Sequence, residues 1–147
     1  MAYYKLLFIS LFVSTLTACG QENGKKANEK SALNSEQMQD ETLLKPVKAL
    51  IDAMEKENAT IIRAQFSETA TQAYGADGKM KTAEETKKWL ESDIIERQGK
   101  VTDPKYSVIN KNAVVVTGQY SSRGYTNKAN FLFTVENGLI TSWRMRY

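Results

Sequence analysis

"KANFLFTVENGLITSWRMRY", residues 128–147, decides the fold. Two runs rich in Phe, Val, Ile, Trp and Tyr flank Asn137-Gly138, the dipeptide that most strongly signals a two-residue β-hairpin. Upstream, "KYSVIN" (105–110) and "NAVVVTGQYSS" (112–122) repeat the strand composition, so the chain from Pro104 onward reads as an antiparallel meander. In the last strand, alternation places Leu139, Trp143, Met145 and Tyr147 on one face, expected to meet the rest of the core. Ile140, Arg144 and Arg146 fall on the other.

Before Pro104 the period is helical. Leu43, Val47, Leu50 and Met54 recur at spacings of four, three and four, with Thr42 as the expected cap and Pro46 tolerated in the first turn. Asn58 is placed to close that helix and to cap a short second one carrying Ile61, Ile62 and Phe66. After a turn at Ala76, Asp77 and Gly78, Thr82 and Glu85 have capping-box spacing ahead of a third helix. Its expected core residues are Thr86, Trp89, Leu90 and Ile94, and Gly99 is placed to end it. Helices first and a meander after define the α+β class.

The amino terminus has a different character. Lys5 precedes the eleven-residue apolar run "LLFISLFVSTL", the length of a signal-peptide core and short of the roughly 20 residues that span a bilayer. Leu16-Thr17-Ala18-Cys19 closes that run and resembles the lipobox of bacterial lipoproteins. The resemblance implies cleavage before Cys19, diacylglyceryl attachment to its thiol and a lipid-anchored cell-envelope protein. With Gly20 rather than Asp next, a Gram-negative cell would place it on the outer membrane, facing the periplasm. Cys19 is the only cysteine, so no internal disulfide is available, and two or three acyl chains give durable anchoring where one does not. Residues 1–18 are therefore read as signal peptide. Residues 19–42 are read as lipidated cysteine plus flexible polar linker, of r.m.s. span roughly 25 Å. Asn34 and Gln37 also have capping-box spacing, which leaves a helical extension open. Residues 43–147 form the domain.

That domain resembles the nuclear-transport-factor-2-like proteins of the SnoaL type. The resemblance is carried by "ALIDAMEKENATIIRAQFSETATQAYGADGK", by the helix opened at Thr82 and by "ENGLITSWRMRY". It implies amino-terminal helices packed on a strongly bent antiparallel sheet, a cone-shaped cavity, and homodimers through the outer sheet face.

Catalytic members of that family hold carboxylates, tyrosine or histidine in the cavity, since proton abstraction needs a base whose pKa burial can tune. This chain has no histidine, and from Pro104 onward its one acid is Glu136, beside the hairpin turn. Asp77 with Tyr74 is the remaining acid and donor pair, and each also has an ordinary reading in turn chemistry and packing. No residue is assigned a catalytic role. No metal or cofactor is expected either, for want of histidine, a free thiolate or spaced carboxylates. Tyr74, Trp89, Tyr120 and Trp143 are the expected cavity lining, with core filling as their alternative.

The formal charge of +3 argues against a nucleic-acid partner, and no reading module is present. Charge is nevertheless uneven. Residues 104–147 carry six Lys and Arg against one acid, whereas residues 43–103 carry ten against eleven. Arg144 and Arg146 thus mark a basic sheet face. Three functions follow. The foremost is a membrane-tethered, non-catalytic domain holding a small apolar or amphipathic molecule, for which Trp143→Ala is expected to abolish binding with the fold intact. The second is a cell-envelope protein-interaction module using the basic face. The third is an isomerase or hydrolase dependent on Asp77.

Overall fold

The computed structural model describes residues 23–146; the signal segment, Cys19 and Tyr147 lie outside the described residues. The chain forms α1 (Asn23–Glu55), α2 (Ala59–Ala64), β1 (Phe66–Tyr74) and α3 (Ala83–Trp89), the last continued by a π-helical turn, Leu90–Ile95. Then come β2 (Lys100–Asn110), β3 (Ala113–Ser122), β4 (Tyr125–Glu136) and β5 (Leu139–Met145). The strand order is β1-β5-β4-β3-β2. The meander β2 to β5 is antiparallel as expected, but β1 joins β5 in parallel, so the sheet is mixed. Asn137 and Gly138 both take positive φ, 52° and 76°, the requirement of the type I′ hairpin between β4 and β5.

Helix α1 does not start at Thr42. The stretch read as a flexible linker is helical from Asn23, and Pro46 sits inside the helix rather than in its first turn. Residues 37–42 are exposed, so burial does not order them. Elongation from a nucleated, packed helix gains one hydrogen bond per residue, and Lys, Glu, Gln and Met are good helix formers. Pro46 removes the bond that the Thr42 carbonyl would accept. The Thr42 hydroxyl, expected to cap, instead donates back to the Met38 carbonyl at 2.8 Å. The Pro46 ring is buried, on the face that Leu43, Val47, Leu50 and Met54 present to the core.

Local signals fared better around the short helices. Asn58 Oδ1 accepts the Ile61 N–H at 3.1 Å, and Thr82 with Glu85 forms a reciprocal capping box. Phe66 is the first residue of β1 rather than part of α2, and only Ile62 of that helix is buried. Gln98, not Gly99, takes the left-handed conformation after the π-turn (φ 55°). Gly99 is needed for another reason: a Cβ there would lie 2.8 Å from the Tyr120 hydroxyl. Strand β2 begins five residues earlier than expected and contains Pro104, which an edge strand with a bulge between Thr102 and Lys105 accommodates.

A second bulge changes β5. Thr134 pairs with Ser142 but Val135 pairs with Ile140, so Thr141 is an extra residue. Ile140 therefore turns inward with Trp143 and Met145, while Leu139 is exposed, reversing the expected placement of that pair. Trp143 becomes the centre of the core, with no exposed surface. Its ring lies 5.0 Å from Phe133, 5.1 Å from Trp89, 5.3 Å from Phe131 and 6.2 Å from Phe66, centroid to centroid.

Candidate functional site

One end of the sheet and the π-turn enclose a cavity of about 200 Å³. Strand β1 delivers Tyr74 as its last residue, α3 delivers Trp89 as its last, and Asp93, Ile94 and Arg97 follow from the π-turn and its exit. Tyr120 and Ser122 end β3, Tyr125 starts β4 and Met145 ends β5. The buried rings and side chains of Trp89, Ile94, Tyr120 and Met145 form the apolar wall, and half-exposed Tyr74 and Tyr125 stand at the mouth. The capping box fixes where α3 starts, and Gly99 leaves room for the Tyr120 ring; both place the wall.

The polar atoms are few and oriented. The Trp89 indole N–H donates to the Tyr74 hydroxyl. Lys81 Nζ lies 4.4 Å from the centre of the Tyr74 ring, a cation over its outer face. Asp93 accepts from Ser92 at 2.6 Å and pairs loosely with Arg97 at 3.9 Å. Burial raises the pKa of Tyr74 above the usual phenol value, with the Asp93 charge adding to it against the Trp89 hydrogen bond. Burial likewise raises Tyr120, opposed by a hydrogen bond with Ser122. Both phenols are therefore protonated at neutral pH and are not bases, and the Tyr120 hydroxyl donates to the Asp93 carbonyl at 3.5 Å.

Of the four expected lining residues, the structure brings Tyr74, Trp89 and Tyr120 together around this cavity. Trp143 does not line it. The ring lies behind Trp89 as packing, so Trp143→Ala removes a core residue and cannot test binding alone. Asp77 is exposed on the loop after β1 and is absent from the cavity wall, which separates it from Tyr74 as a catalytic pair. Arg144 and Arg146 are not a free interaction face. Arg144 donates to the carbonyls of Gly75 (3.2 Å) and Gly78 (2.8 Å) and contacts Met80 Sδ, clamping the loop that leaves Tyr74. Arg146 donates to Asn130 Oδ1 at 2.9 Å. Lys105, Lys111, Arg123 and Lys128 remain as exposed basic residues on the sheet and its turns.

Sequence reading missed Asp93, Arg97, Ser122 and Tyr125. A signal for the first two existed: Trp89, Asp93 and Arg97 recur every four residues, the stripe next to Leu90 and Ile94. Asp93 is the one carboxylate in the wall. Among the described residues no group of three or more His, Cys, Asp or Glu is arranged to hold a metal, and no helix is long and apolar enough to cross a membrane.

A helical layer against a curled five-stranded sheet, with a cavity walled by Trp89 and Tyr120, is the nuclear-transport-factor-2-like fold. Solved structures agree on that fold. A nuclear-transport-factor-2-like protein of unknown function from Cytophaga hutchinsonii superposes with TM-score 0.57 at 22% identity, covering 69% of this chain and 86% of that one. A computationally designed 17-OHP binder gives 0.60 at 17% identity, covering 72% and 90%. A Mycobacterium tuberculosis protein in complex with estradiol-17beta-hemisuccinate gives 0.57 at 15% identity, covering 72% and 93%. No protein-family model matches the sequence, and no curated protein matches it.

Proposed function

We propose that the protein is a lipid-anchored envelope protein whose domain binds a small apolar or amphipathic molecule without transforming it. The observation that carries this reading is the composition of the cavity: an apolar wall of Trp89, Ile94, Tyr120 and Met145, and protonated phenol donors. Its volume of about 200 Å³ is below the roughly 300–1,000 Å³ of a drug-sized site. The occupant is accordingly a small molecule, or one that inserts an apolar end and leaves the rest at the mouth beside Asp93 and Arg97. Two proteins of the same fold, the designed 17-OHP binder and the protein in complex with estradiol-17beta-hemisuccinate, support small-molecule binding as a use of this fold. Anchoring through Cys19 rests on the lipobox-like sequence.

Tryptophan emission is the direct assay, since one of the two tryptophans lines the cavity and the other lies against it. Titration with fatty acids, sterols and aromatic polyketides should shift emission for one class. A ligand at 100 times its Kd should add about 2.7 kcal/mol of stability. Absence of any response across the three classes would refute the binding reading. Loss of labelled palmitate from the Cys19→Ser variant, against incorporation by the parent, tests the anchor separately.

A further inference from the structure

We propose that the ligand of the Tyr74 cavity is an amphipathic organic cation, an alkylammonium whose chain enters the cavity and whose charged head rests at the mouth among Tyr74, Tyr125 and Asp93. The inference rests on the reading of that cavity as a binding site and names the charge of what it takes. Four aromatic rings, those of Tyr74, Trp89, Tyr120 and Tyr125, line about 200 Å³. They meet in two steeply inclined pairs: Tyr74 with Trp89 at 83° and Tyr120 with Tyr125 at 58°, each about 6 Å between centroids. Rings so inclined offer π surface from different sides of one small volume, the arrangement that receives alkylammonium groups.

The groups meant for the head are open to it. Tyr74 and Tyr125 are 41% and 43% exposed, and the Asp93 side chain is 37% exposed. Asp93 is the only carboxylate in the wall, and its charge is not consumed there. Ser92 donates to Oδ2 at 2.6 Å, but Arg97 stands 3.9 Å from Oδ1, beyond hydrogen-bond distance. Arg97 also lines the cavity, yet its side chain is 55% exposed, so water screens it more than it screens Asp93. The phenols register the same balance. Burial is the main cause of the raised pKa of both Tyr74 and Tyr120, and of the two charges the carboxylate acts on each more strongly than the guanidinium. Lys81 stands over the Tyr74 ring at 4.4 Å but does not line the cavity, so it leaves the inner position vacant. Trp89, Ile94, Tyr120 and Met145 then suit the alkyl chain, whereas a small hydrated metal ion would find too few oxygen ligands.

The probes share one six-carbon chain and differ in the charge of the head: hexyltrimethylammonium, 1-hexanol and hexanoate, titrated into the full chain with labelled methyl groups. The ammonium should move the signals of Ile94 and Met145 and bind about fivefold more tightly than the alcohol, with hexanoate weakest. Asp93→Asn keeps the side-chain shape and should erase that preference. Arg97→Gln should act the other way and tighten the ammonium about threefold. Tighter binding of hexanol or hexanoate at Ile94 and Met145 would overturn the cationic ligand and leave the proposed function standing. If none of the three moved those signals, the binding reading itself would fall with it. An undiminished preference in Asp93→Asn, or weaker binding of the ammonium by Arg97→Gln, would also overturn the assignment.

Discussion

Replacing Trp143 separates packing from binding. The residue is fully buried and its ring meets four other aromatic rings, so Trp143→Ala leaves a cavity at the junction of β5, β4, β1 and α3. Truncating a buried Trp costs about 3–5 kcal/mol, and this site belongs at the upper end because Phe133, Phe131 and Trp89 are held by their own strands and helix and cannot all close in. At roughly 4–8 °C per kcal/mol for a domain of this size, the thermal midpoint should fall by roughly 15–40 °C. Trp143→Phe is the informative partner. It keeps a ring in contact and removes an indole N–H that has no hydrogen-bond partner, an orphan group that itself costs about 1–3 kcal/mol. The expected loss for Phe is therefore less than half that for Ala. Circular dichroism melts of the two variants decide the matter. A loss below about 1.5 kcal/mol for Ala would show that the cluster collapses around the gap; equal losses for Ala and Phe would refute the reasoning about the unpaired N–H.

Three further outcomes follow from particular contacts. Tyr74→Phe removes the acceptor of the Trp89 N–H; ligand affinity should drop about fivefold or more, with a change in Trp89 emission, as read by fluorescence titration. Gly78→Ala places a Cβ 1.7 Å from the Tyr74 carbonyl oxygen, so the loop must move and chemical unfolding should show a loss of about 1–3 kcal/mol together with weakened binding. Hydrogen bonds from Lys100, Lys87 and Arg63 hold the carboxyls of Glu57, Glu68 and Glu91 below their ordinary 4.5. Because the folded state favours their charged form, that stability is complete above pH 4.5 and is lost as pH falls through the lowered values; the urea midpoint should decline only below about 4.5, less steeply in Glu91→Gln, and less at high salt since these groups are exposed.

What the sequence discloses is what neighbours along the chain decide. Asn137-Gly138 sets its hairpin through two positive φ angles, and Thr82 with Glu85 sets a helix start through two bonds three residues apart; neither depends on anything distant. The misreadings are tertiary. Strict alternation put Ile140 outward and Leu139 inward because a bulge at Thr141 is a property of the pairing between β4 and β5, not of β5. The parallel β1–β5 pairing is likewise invisible to a reading of each strand alone. Helix α1 shows a different gap: judging order by apolar burial overlooked that a helix already nucleated at Leu43 to Met54 extends through polar residues by propagation.

The same tertiary effects govern the candidate site. Beyond the bulge, Trp143 faces inward and Arg144 outward, so one dipeptide supports the cavity from two sides. Trp143 packs behind Trp89, and Arg144 holds the carbonyls of Gly75 and Gly78 in the loop that follows Tyr74. The hydrogen bond from Trp89 to Tyr74 joins the two supports across the mouth. Arg144 was read as surface charge because sequence shows a side chain's charge but not its partners. With two of its three guanidinium contacts on backbone carbonyls and the third on Met80 Sδ, all in that loop, replacing Arg144 should disturb Tyr74 before it disturbs any partner protein. Arg144→Met should therefore weaken ligand binding while leaving the aromatic core and most of the thermal stability in place, a result that a role in surface recognition alone would not produce.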